Sequence, residues 1–221
     1  MMQSSKTRRF WDDFYETEKE AEWIVAPSEE LMAKIVALLQ TPTSGVSQIL
    51  EIGCGSSRFA QQLATYLTRR CVSHHILSTD VSPVCIEQQR ESVRLPHLSY
   101  AVADVTEGPA FPDCSFDLIL DKACLDTILF RTRHRRTGPN ELVSLVLGNL
   151  DRWLKPNGVY LSISPRRKMK ELRDFEHWAY EKELLKTKEE GGRIESGTAT
   201  REGSRTVYLH ISRKGGSRVH R

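Results

Sequence analysis

Acidic residues end several short apolar segments of the chain. The acids at or near these ends are Glu51, Asp80, Asp104 and Asp121. An ionised carboxylate only accepts hydrogen bonds, so it suits a ligand with donor-rich edges. An acid after a second strand can accept both hydroxyls of a ribose, and one after a third strand can accept an exocyclic amine of adenine. Each acid alone is also compatible with an ordinary turn residue, but their presence at successive strand ends predicts a site for an adenosyl ligand.

A glycine-containing segment, EIGCGSS, lies between the first predicted strand and a predicted helix. Gly53 and Gly55 let the backbone turn sharply and approach a ligand closely, and the free amides of the following helix face the same crevice. A dinucleotide site usually carries a third glycine, and Arg58 stands at that position. S-adenosylmethionine has no phosphates and needs only the first two glycines, while Glu51 suits its ammonium group. The segment therefore favours this methyl donor over a nicotinamide dinucleotide.

The elements that must position these residues alternate between strands and helices. Apolar runs predict strands at 48–53, 75–80, 98–104, 115–121 and 159–164. Helical spacing predicts helices at 29–40 with Ser28 as cap, after a Ser57 cap, after Ser82-Pro83, and at 140–154. Such alternation implies a doubly wound, mostly parallel sheet covered on both faces, with its ligand at the carboxyl ends where strand order reverses.

The last third of the chain has a different pattern. It predicts a charged helix near 168–181, followed after a Gly-Gly turn by a strand at 206–212 with alternating apolar residues. We expect an antiparallel hairpin at the sheet edge, which brings the predicted α/β sheet to seven strands. The whole chain, 1–221, is then one domain: a cap segment and helix at 1–45, a donor-binding core at 46–165, and a C-terminal helix and hairpin at 166–221.

Composition excludes several classes of protein. The 221 residues are 39% hydrophobic and 28% charged, which is typical of a globular protein, and no apolar run approaches the ~18 residues of a membrane span. The N-terminus lacks a signal-peptide core, so a cytosolic protein is expected. The five cysteines show no CxxC spacing and the histidines no HExxH, so no metal site is predicted. A net charge of +3 is too weak to indicate a nucleic-acid partner, and Asp121-Lys122 stands where base-methylating enzymes carry an asparagine-proline pair, although the RTRHRR segment (131–136) leaves RNA contact open.

Together, several motifs resemble those of a known enzyme family. EIGCGSS, STDVSP, ADV, FDLILDK and LKPNG, in this order over 48–164, resemble the class I seven-strand methyltransferases with a Rossmann-like fold. Three further segments resemble a eukaryotic lysine methyltransferase group that acts on elongation factor 1-alpha and on citrate synthase. These segments are FWDDFYETEKEAEW (10–23), LDKACLD (120–126) and YLHISRKGGSRV (208–219). Ala123-Cys124 departs from the group's usual glycine-threonine, which leaves the acceptor preference open.

The resemblance implies a set of donor-binding residues. Aromatic residues of the N-terminal segment would close over S-adenosylmethionine, Gly53 would lie under its methionine part, and Lys122 would line the site near the sulfur. The aromatic residues are Trp11, Tyr15 and Trp23, and the adenosyl contacts are Asp80 with Val81 at the ribose and Asp104 with Val105 at the adenine. Aromatic faces attract the cationic sulfonium. The alternative for the aromatic residues is that they only anchor the segment to the core, and the alternative for Lys122 is a salt bridge with Asp121 or Asp126.

The expected reaction is in-line transfer of the methyl group to a lysine amine, with S-adenosylhomocysteine as product. A free lysine has a pKa of about 10.4 and must lose its proton first. Lys122 and the sulfonium would lower that pKa, and Asp121 and Asp126 are candidates for steering the amine or relaying the proton. Elongation factor 1-alpha is the first candidate substrate and citrate synthase the second. The alternatives are a methyltransferase for a small molecule or another side chain, and a donor-binding module without catalysis.

Overall fold

The alternation of strands and helices predicted from the sequence is present in the structure. A computed structural model of the chain describes residues 2–17, 22–39, 45–92, 94–108, 110–132, 139–173, 175, 178–185 and 206–215. The strands are β1 (Ser47–Ile52), β2 (His74–Asp80), β3 (Leu98–Val102), β4 (Phe116–Lys122), β5 (Leu154–Ser164), β6 (Trp178–Leu185) and β7 (Val207–Lys214). The helices are α1 (Met2–Thr17), α2 (Glu29–Leu38), α3 (Phe59–Arg69), α4 (Pro83–Ser92), α5 (Cys124–Thr132), α6 (Pro139–Trp153) and α7 (Lys170–Arg173).

Within the described ranges, seven strands form one sheet in the order β3-β2-β1-β4-β5-β7-β6. The first five strands in this order are parallel, and β7 runs antiparallel between β5 and β6. This confirms the predicted α/β fold, a doubly wound, mostly parallel sheet with an antiparallel C-terminal hairpin. Strand order reverses at β1, since β2 lies on one side of it and β4 on the other. The crevice expected to hold a ligand therefore opens at the carboxyl end of β1.

Helices cover both faces of the sheet because the central strands are apolar on both. In β1, Ile49 packs with α2 and α3 while its neighbour Leu50 packs with α6. Consecutive strand residues point to opposite faces of the sheet. Because helices cover both faces, Ile49 and Leu50 are both fully buried. Burying each such side chain contributes about 1.5–3 kcal/mol. The two apolar layers hold the strand ends, and with them the acids, at one edge.

Two predicted helix caps are confirmed. Ser28 Oγ accepts a hydrogen bond from the Leu31 amide at 3.2 Å at the start of α2. Ser82 Oγ accepts one from the Cys85 amide at 3.2 Å, with Pro83 as the first residue of α4. These hydroxyls satisfy amides that have no partner within the helix.

The prediction of a charged helix near 168–181 is wrong. Of the described residues in this range, only Lys170–Arg173 are helical, and Trp178–Leu185 is the edge strand β6. Trp178 lies 5.0 Å from Phe175 and 5.6 Å from Tyr160 between ring centroids, and this packing fixes the start of the strand. The charged residues of β6 are exposed because one side of an edge strand faces solvent, and their spacing alone resembles a helix surface.

Several element boundaries also differ from the sequence prediction. β5 begins at Leu154 rather than at 159, and β3 ends at Val102 rather than at 104. Arg58, not Ser57, stands at the N-cap position of α3, but its side chain makes no capping hydrogen bond; Ser57 Oγ accepts one from the Phe59 amide at 3.1 Å. Helices α1 and α5 were not predicted. Residues 133–136 of the RTRHRR segment, the Gly-Gly turn and the end of the C-terminal motif lie outside the described residues.

Candidate active site

The loop after β1 carries both glycines in the left-handed region of backbone conformation. Gly53 has φ +60° and Gly55 has φ +56°. A Cβ on Gly53 would lie 2.7 Å from Cys124 Cβ, and one on Gly55 would lie 2.9 Å from Tyr15 Oη. The glycines are therefore needed for the close approach of α5 and α1 to this loop, as well as for its turn.

Asp80 is the last residue of β2 and is buried. Its two carboxylate oxygens accept hydrogen bonds from the amides of Gly55 and Ser82, each at 3.0 Å. Burial raises the pKa of Asp80, and the amide hydrogen bonds oppose the rise. Each carboxylate oxygen has a second lone pair, so Asp80 can still accept hydroxyls of a ligand. Val81, half-buried, follows it directly.

Glu51 lies in β1 at 2% exposure, below the glycine loop. Ser78 Oγ donates to its Oε2 at 2.5 Å. Burial raises the pKa of Glu51 to about 7, against the opposing effects of the Ser78 hydrogen bond and the Lys122 charge. This acid therefore changes protonation near neutral pH.

Asp104 lines a cavity of about 350 Å³ beyond the end of β3. The other walls of the cavity come from Arg8 of α1 and from Ala101, Val102, Ala103, Glu107, Gly108, Ala110 and Phe111. Asp104 Oδ1 accepts hydrogen bonds from the amide and the hydroxyl of Thr106, at 2.9 and 2.6 Å. Val105 is buried, and its carbonyl accepts from Asn149 Nδ2 at 3.0 Å. The cavity combines a carboxylate with apolar walls and an aromatic ring.

The predicted aromatic residues form a cluster at the same edge of the sheet. We call Trp11, Phe14, Tyr15 and Trp23 the aromatic cap. The rings of Trp11 and Tyr15 stack at 5.7 Å, and Trp23 meets Trp11 edge-on at 6.5 Å. Tyr15 is buried, and burial raises the pKa of its hydroxyl. Asp12 accepts a hydrogen bond from Ser82 Oγ, so α1 is tied to the start of α4.

Lys122, the last residue of β4, pairs with neither of the acids considered from the sequence. Its Nζ lies 2.8 Å from Glu22 Oε2 and 3.3 Å from the Trp23 carbonyl oxygen, and 5.8 Å from the ring centroid of Phe59. A salt bridge of Lys122 with Asp121 or Asp126 is therefore not found, and Glu22 takes that place. Sequence reasoning missed Glu22 because its partner is 100 residues away along the chain.

Asp121 is fully buried and bound to the protein itself. Its carboxylate accepts hydrogen bonds from the Cys124 amide at 2.6 Å, from Tyr160 Oη at 2.6 Å and from Ser162 Oγ at 3.2 Å. Burial raises the pKa of Asp121 to about 7. These contacts fix the turn from β4 into α5.

Asp126, in the first turn of α5, has an oxygen left over. Its Oδ1 accepts from Ser164 Oγ at 3.0 Å, while Oδ2 is buried and has no hydrogen-bond partner among the described residues. Burial raises the pKa of Asp126, and the nearby charge of Arg166 opposes the rise. An unpaired buried polar atom costs about 1–3 kcal/mol, so this oxygen in the first turn of α5 is open to a hydrogen bond from a water or a bound group.

Comparison with known protein families identifies the family to which this chain belongs. Residues 44–211 match the family described as methyltransferase domain. The chain belongs to this family. Its sheet and its relatives make it a class I S-adenosylmethionine-dependent methyltransferase that resembles the elongation-factor lysine methyltransferases, which confirms the resemblance seen in the motifs.

Three curated relatives illustrate the resemblance. The human protein named eEF1A lysine and N-terminal methyltransferase is 30% identical over 159 residues, covering 70% of this chain and 21% of that protein. The mouse EEF1A lysine methyltransferase 4 is 28% identical over 163 residues, covering 71% of this chain and 60% of that protein. A Neurospora crassa protein named methyltransferase srdJ is 28% identical over 162 residues, covering 70% and 64%. The chain thus spans about a fifth of the length of the human relative.

Solved structures support the fold. A methyltransferase of Methanosarcina mazei superposes with a TM-score of 0.60 at 14% identity, covering 87% of this chain and all of that one. A structure titled for the conversion of a disulfide bond into a thioacetal group in echinomycin biosynthesis superposes with a TM-score of 0.65 at 18% identity, covering 96% and 93%. At these identities the likeness shows the fold alone.

The family and the fold imply S-adenosylmethionine as methyl donor. The residues present fit its adenosyl part, because the cavity at Asp104 offers an acceptor carboxylate beside the Phe111 ring and the Val102 side chain. In the described part of the chain, none of the helices combines the length and the apolar composition that a membrane span requires.

Proposed function

We propose that the chain methylates lysine side chains of a protein, with elongation factor 1-alpha as the first candidate and citrate synthase as the second. The observation that supports this best is the unpaired Asp126 Oδ2 at the same sheet edge as the cavity of Asp104. One end of this edge suits an adenosyl group, and the other offers a carboxylate to an amine. The names of the human and mouse relatives supply the acceptor class.

The donor is held by the acids and glycines of the sheet edge. Asp80 with Val81 accepts the ribose hydroxyls, Asp104 with Val105 accepts the adenine amine, and Glu51 faces the ammonium group beside the Gly53–Gly55 loop. The aromatic cap covers this site and excludes water from it. When bound, S-adenosylmethionine supplies a methyl group already activated on a sulfonium, and S-adenosylhomocysteine is the product.

The acceptor amine must be neutral to react. Burial in a site closed by aromatic rings, together with the positive charge of the donor's sulfonium, lowers the pKa of an incoming lysine, because both disfavour its ammonium form. The charge of Lys122 is already paired with Glu22 and adds little to this effect. Asp126 Oδ2 accepts a hydrogen bond from one N–H of that amine. This contact aims the lone pair of the amine nitrogen at the donor's methyl group. Asp121 acts indirectly: its carboxylate fixes the turn from β4 into α5, and this turn positions Asp126.

The role of Asp126 predicts a loss of turnover without a loss of donor binding. Replacing Asp126 with Asn should lower the rate of methyl transfer about 100-fold or more, since an amide neither accepts a proton nor orients the amine as a carboxylate does. S-adenosylhomocysteine affinity, measured by calorimetry, should not change. Asp113→Asn, at an exposed acid away from this edge, is the control. Normal turnover in Asp126→Asn would exclude Asp126 from the acceptor site.

The acceptor is tested with methyl-labelled donor and a cell lysate, followed by purified elongation factor 1-alpha and citrate synthase. Label on lysines of the elongation factor supports the proposal. Label confined to small molecules favours the second candidate function, methylation of a small molecule, for which the Neurospora relative is the supporting observation. Donor binding without label in any fraction contradicts both and indicates a non-catalytic module.

A further inference from the structure

Glu22 joins the segment after α1 to two elements of the core. Its Oε1 accepts hydrogen bonds from Ser57 Oγ at 2.8 Å and from the Arg58 amide at 2.9 Å, next to the start of α3. Its Oε2 pairs with Lys122 Nζ at 2.8 Å, at the end of β4. Hydrogen bonds between charged groups are roughly twice as strong as neutral ones, so this carboxylate is a firm point of attachment.

The backbone that follows Glu22 is strained. The Val25 amide donates to the Trp23 carbonyl at 2.8 Å, which closes a three-residue turn around Ile24. Ile24 has φ +68°, a conformation that a β-branched residue rarely adopts. A strained turn persists only where surrounding contacts hold it. The contacts here are the hydrogen bonds of Glu22, the bond from Lys122 to the Trp23 carbonyl, and the packing of Ile24 and Val25 on the apolar core.

The same segment carries one wall of the aromatic cap. The ring of Trp23 lies 5.8 Å from Phe14 and 6.5 Å from Trp11, both on α1. Release of Glu22 would therefore free Trp23 and loosen α1 over the glycine loop. The strain at Ile24 favours that release, and the ion pair with Lys122 opposes it.

We propose that Glu22 is a positioning residue that holds the aromatic cap closed over the donor and thereby sets how fast the donor leaves. This inference rests on the donor site proposed above. It also assigns Lys122 to cap closure, through Glu22 and the Trp23 carbonyl. The ion pair is open to screening by salt, since 35% of the Glu22 side chain is exposed.

The test compares Glu22→Gln with Glu16→Gln, which removes the same charge from an exposed position of α1. Dissociation of S-adenosylhomocysteine is followed by stopped-flow tryptophan fluorescence. We expect Glu22→Gln to dissociate about tenfold faster than wild type, and Glu16→Gln to match wild type. The wild-type rate should rise with added salt and the Glu22→Gln rate should not, a difference that a purely structural role would not produce.

A second measurement needs no ligand. Hydrogen exchange of peptides from α1 should be faster in Glu22→Gln than in wild type or Glu16→Gln. Equal exchange and equal dissociation in all three proteins would overturn the proposal. Slower dissociation from Glu22→Gln would overturn it too, because it would mean that the ligand's own carboxylate displaces Glu22. If no protein binds S-adenosylhomocysteine, the donor site fails and the exchange result alone decides the role of Glu22.

Discussion

Glu51 shows how one buried acid can make donor binding depend on pH. Its pKa is raised to about 7 by burial, so it is largely protonated one unit below that value. An ammonium group placed beside it interacts favourably only with the ionised form. Binding of such a group therefore weakens as protons are added.

We predict that affinity for S-adenosylhomocysteine falls as pH is lowered from 8 to 6, by up to about tenfold, because only about a tenth of Glu51 is ionised at one unit below its pKa. Glu51→Gln should bind more weakly at pH 8 and show a flatter profile. Calorimetry at several pH values measures both. The same slope in wild type and Glu51→Gln would assign the pH dependence to another group.

Asp80 gives a second prediction at the residue scale. Asp80→Ala should abolish measurable binding of S-adenosylhomocysteine, because it removes the ribose acceptor and leaves the amides of Gly55 and Ser82 without their partner. Asp80→Asn keeps one acceptor oxygen and should bind with intermediate affinity. Unchanged affinity in calorimetry for the alanine variant would remove Asp80 from the ribose site.

At the scale of elements, the site depends on α5 and α1 packing against the glycine loop. Neither helix was predicted. The charges of α1 are mixed, and three of its aromatic residues, Trp11, Phe14 and Tyr15, belong to the aromatic cap, whose packing depends on the neighbouring α4. The start of α5 is set by Asp121, whose carboxylate accepts hydrogen bonds from the amides of Cys124 and Leu125. These contacts form only once the sheet is assembled, so no local sequence pattern predicts either helix.

The close approach of α5 to Gly53 predicts a specific cost. Gly53→Ala should lower the free energy of unfolding by roughly 3 kcal/mol, since the left-handed backbone is strained for alanine and Cβ would lie 2.7 Å from Cys124 Cβ. Gly45→Ala is a matched control, with φ +71° and open space around its Cβ. That variant should lose only about 1–2 kcal/mol from the backbone. Equal losses in denaturant unfolding would mean that the contact with Cys124 relaxes at no cost.

The sequence predicted the fold and the acids better than the contacts between distant segments. Short apolar runs, which alternate along the chain with predicted helices, identified β1, β2 and β4, because strands buried on both faces consist almost entirely of apolar residues. Capping residues located the starts of α2 and α4. The pairing of Glu22 with Lys122 depends on segments that meet only in the folded chain. β6 was missed for a related reason, since an exposed edge strand carries charges whose spacing does not separate it from a helix.

On the scale of the whole molecule, the pH dependence of stability is set by buried acids whose pKa is raised and by a buried histidine whose pKa is lowered. The pKa of Asp121, like that of Glu51, is raised to about 7, so the folded protein takes up their protons before the unfolded chain and gains stability as pH falls toward 4. His210, fully buried in β7, has its pKa lowered by burial. Its contribution to stability is complete above pH 6.5 and is lost as pH falls through its lowered pKa.

His210 links the hairpin to the end of β5, which allows its part to be isolated. One ring nitrogen bonds Tyr180 Oη at 2.7 Å and the other bonds the Arg166 carbonyl at 2.8 Å. His210→Gln should lose stability at pH 7.5, where these bonds are intact, and the gap to wild type should narrow by pH 5. Denaturant unfolding at the two pH values checks this. A gap that widens in acid would mean that protonated His210 is stabilising.

The insertion of β7 between β5 and β6 has a consequence for how the chain is made. β6 is synthesised before its only described strand partner, so it must wait until the residues up to Lys214 have left the ribosome. Until then β5 presents a bare edge, which is a template for pairing with other chains. A chain that ends before β7 would therefore be prone to aggregate, although its first five strands are already complete.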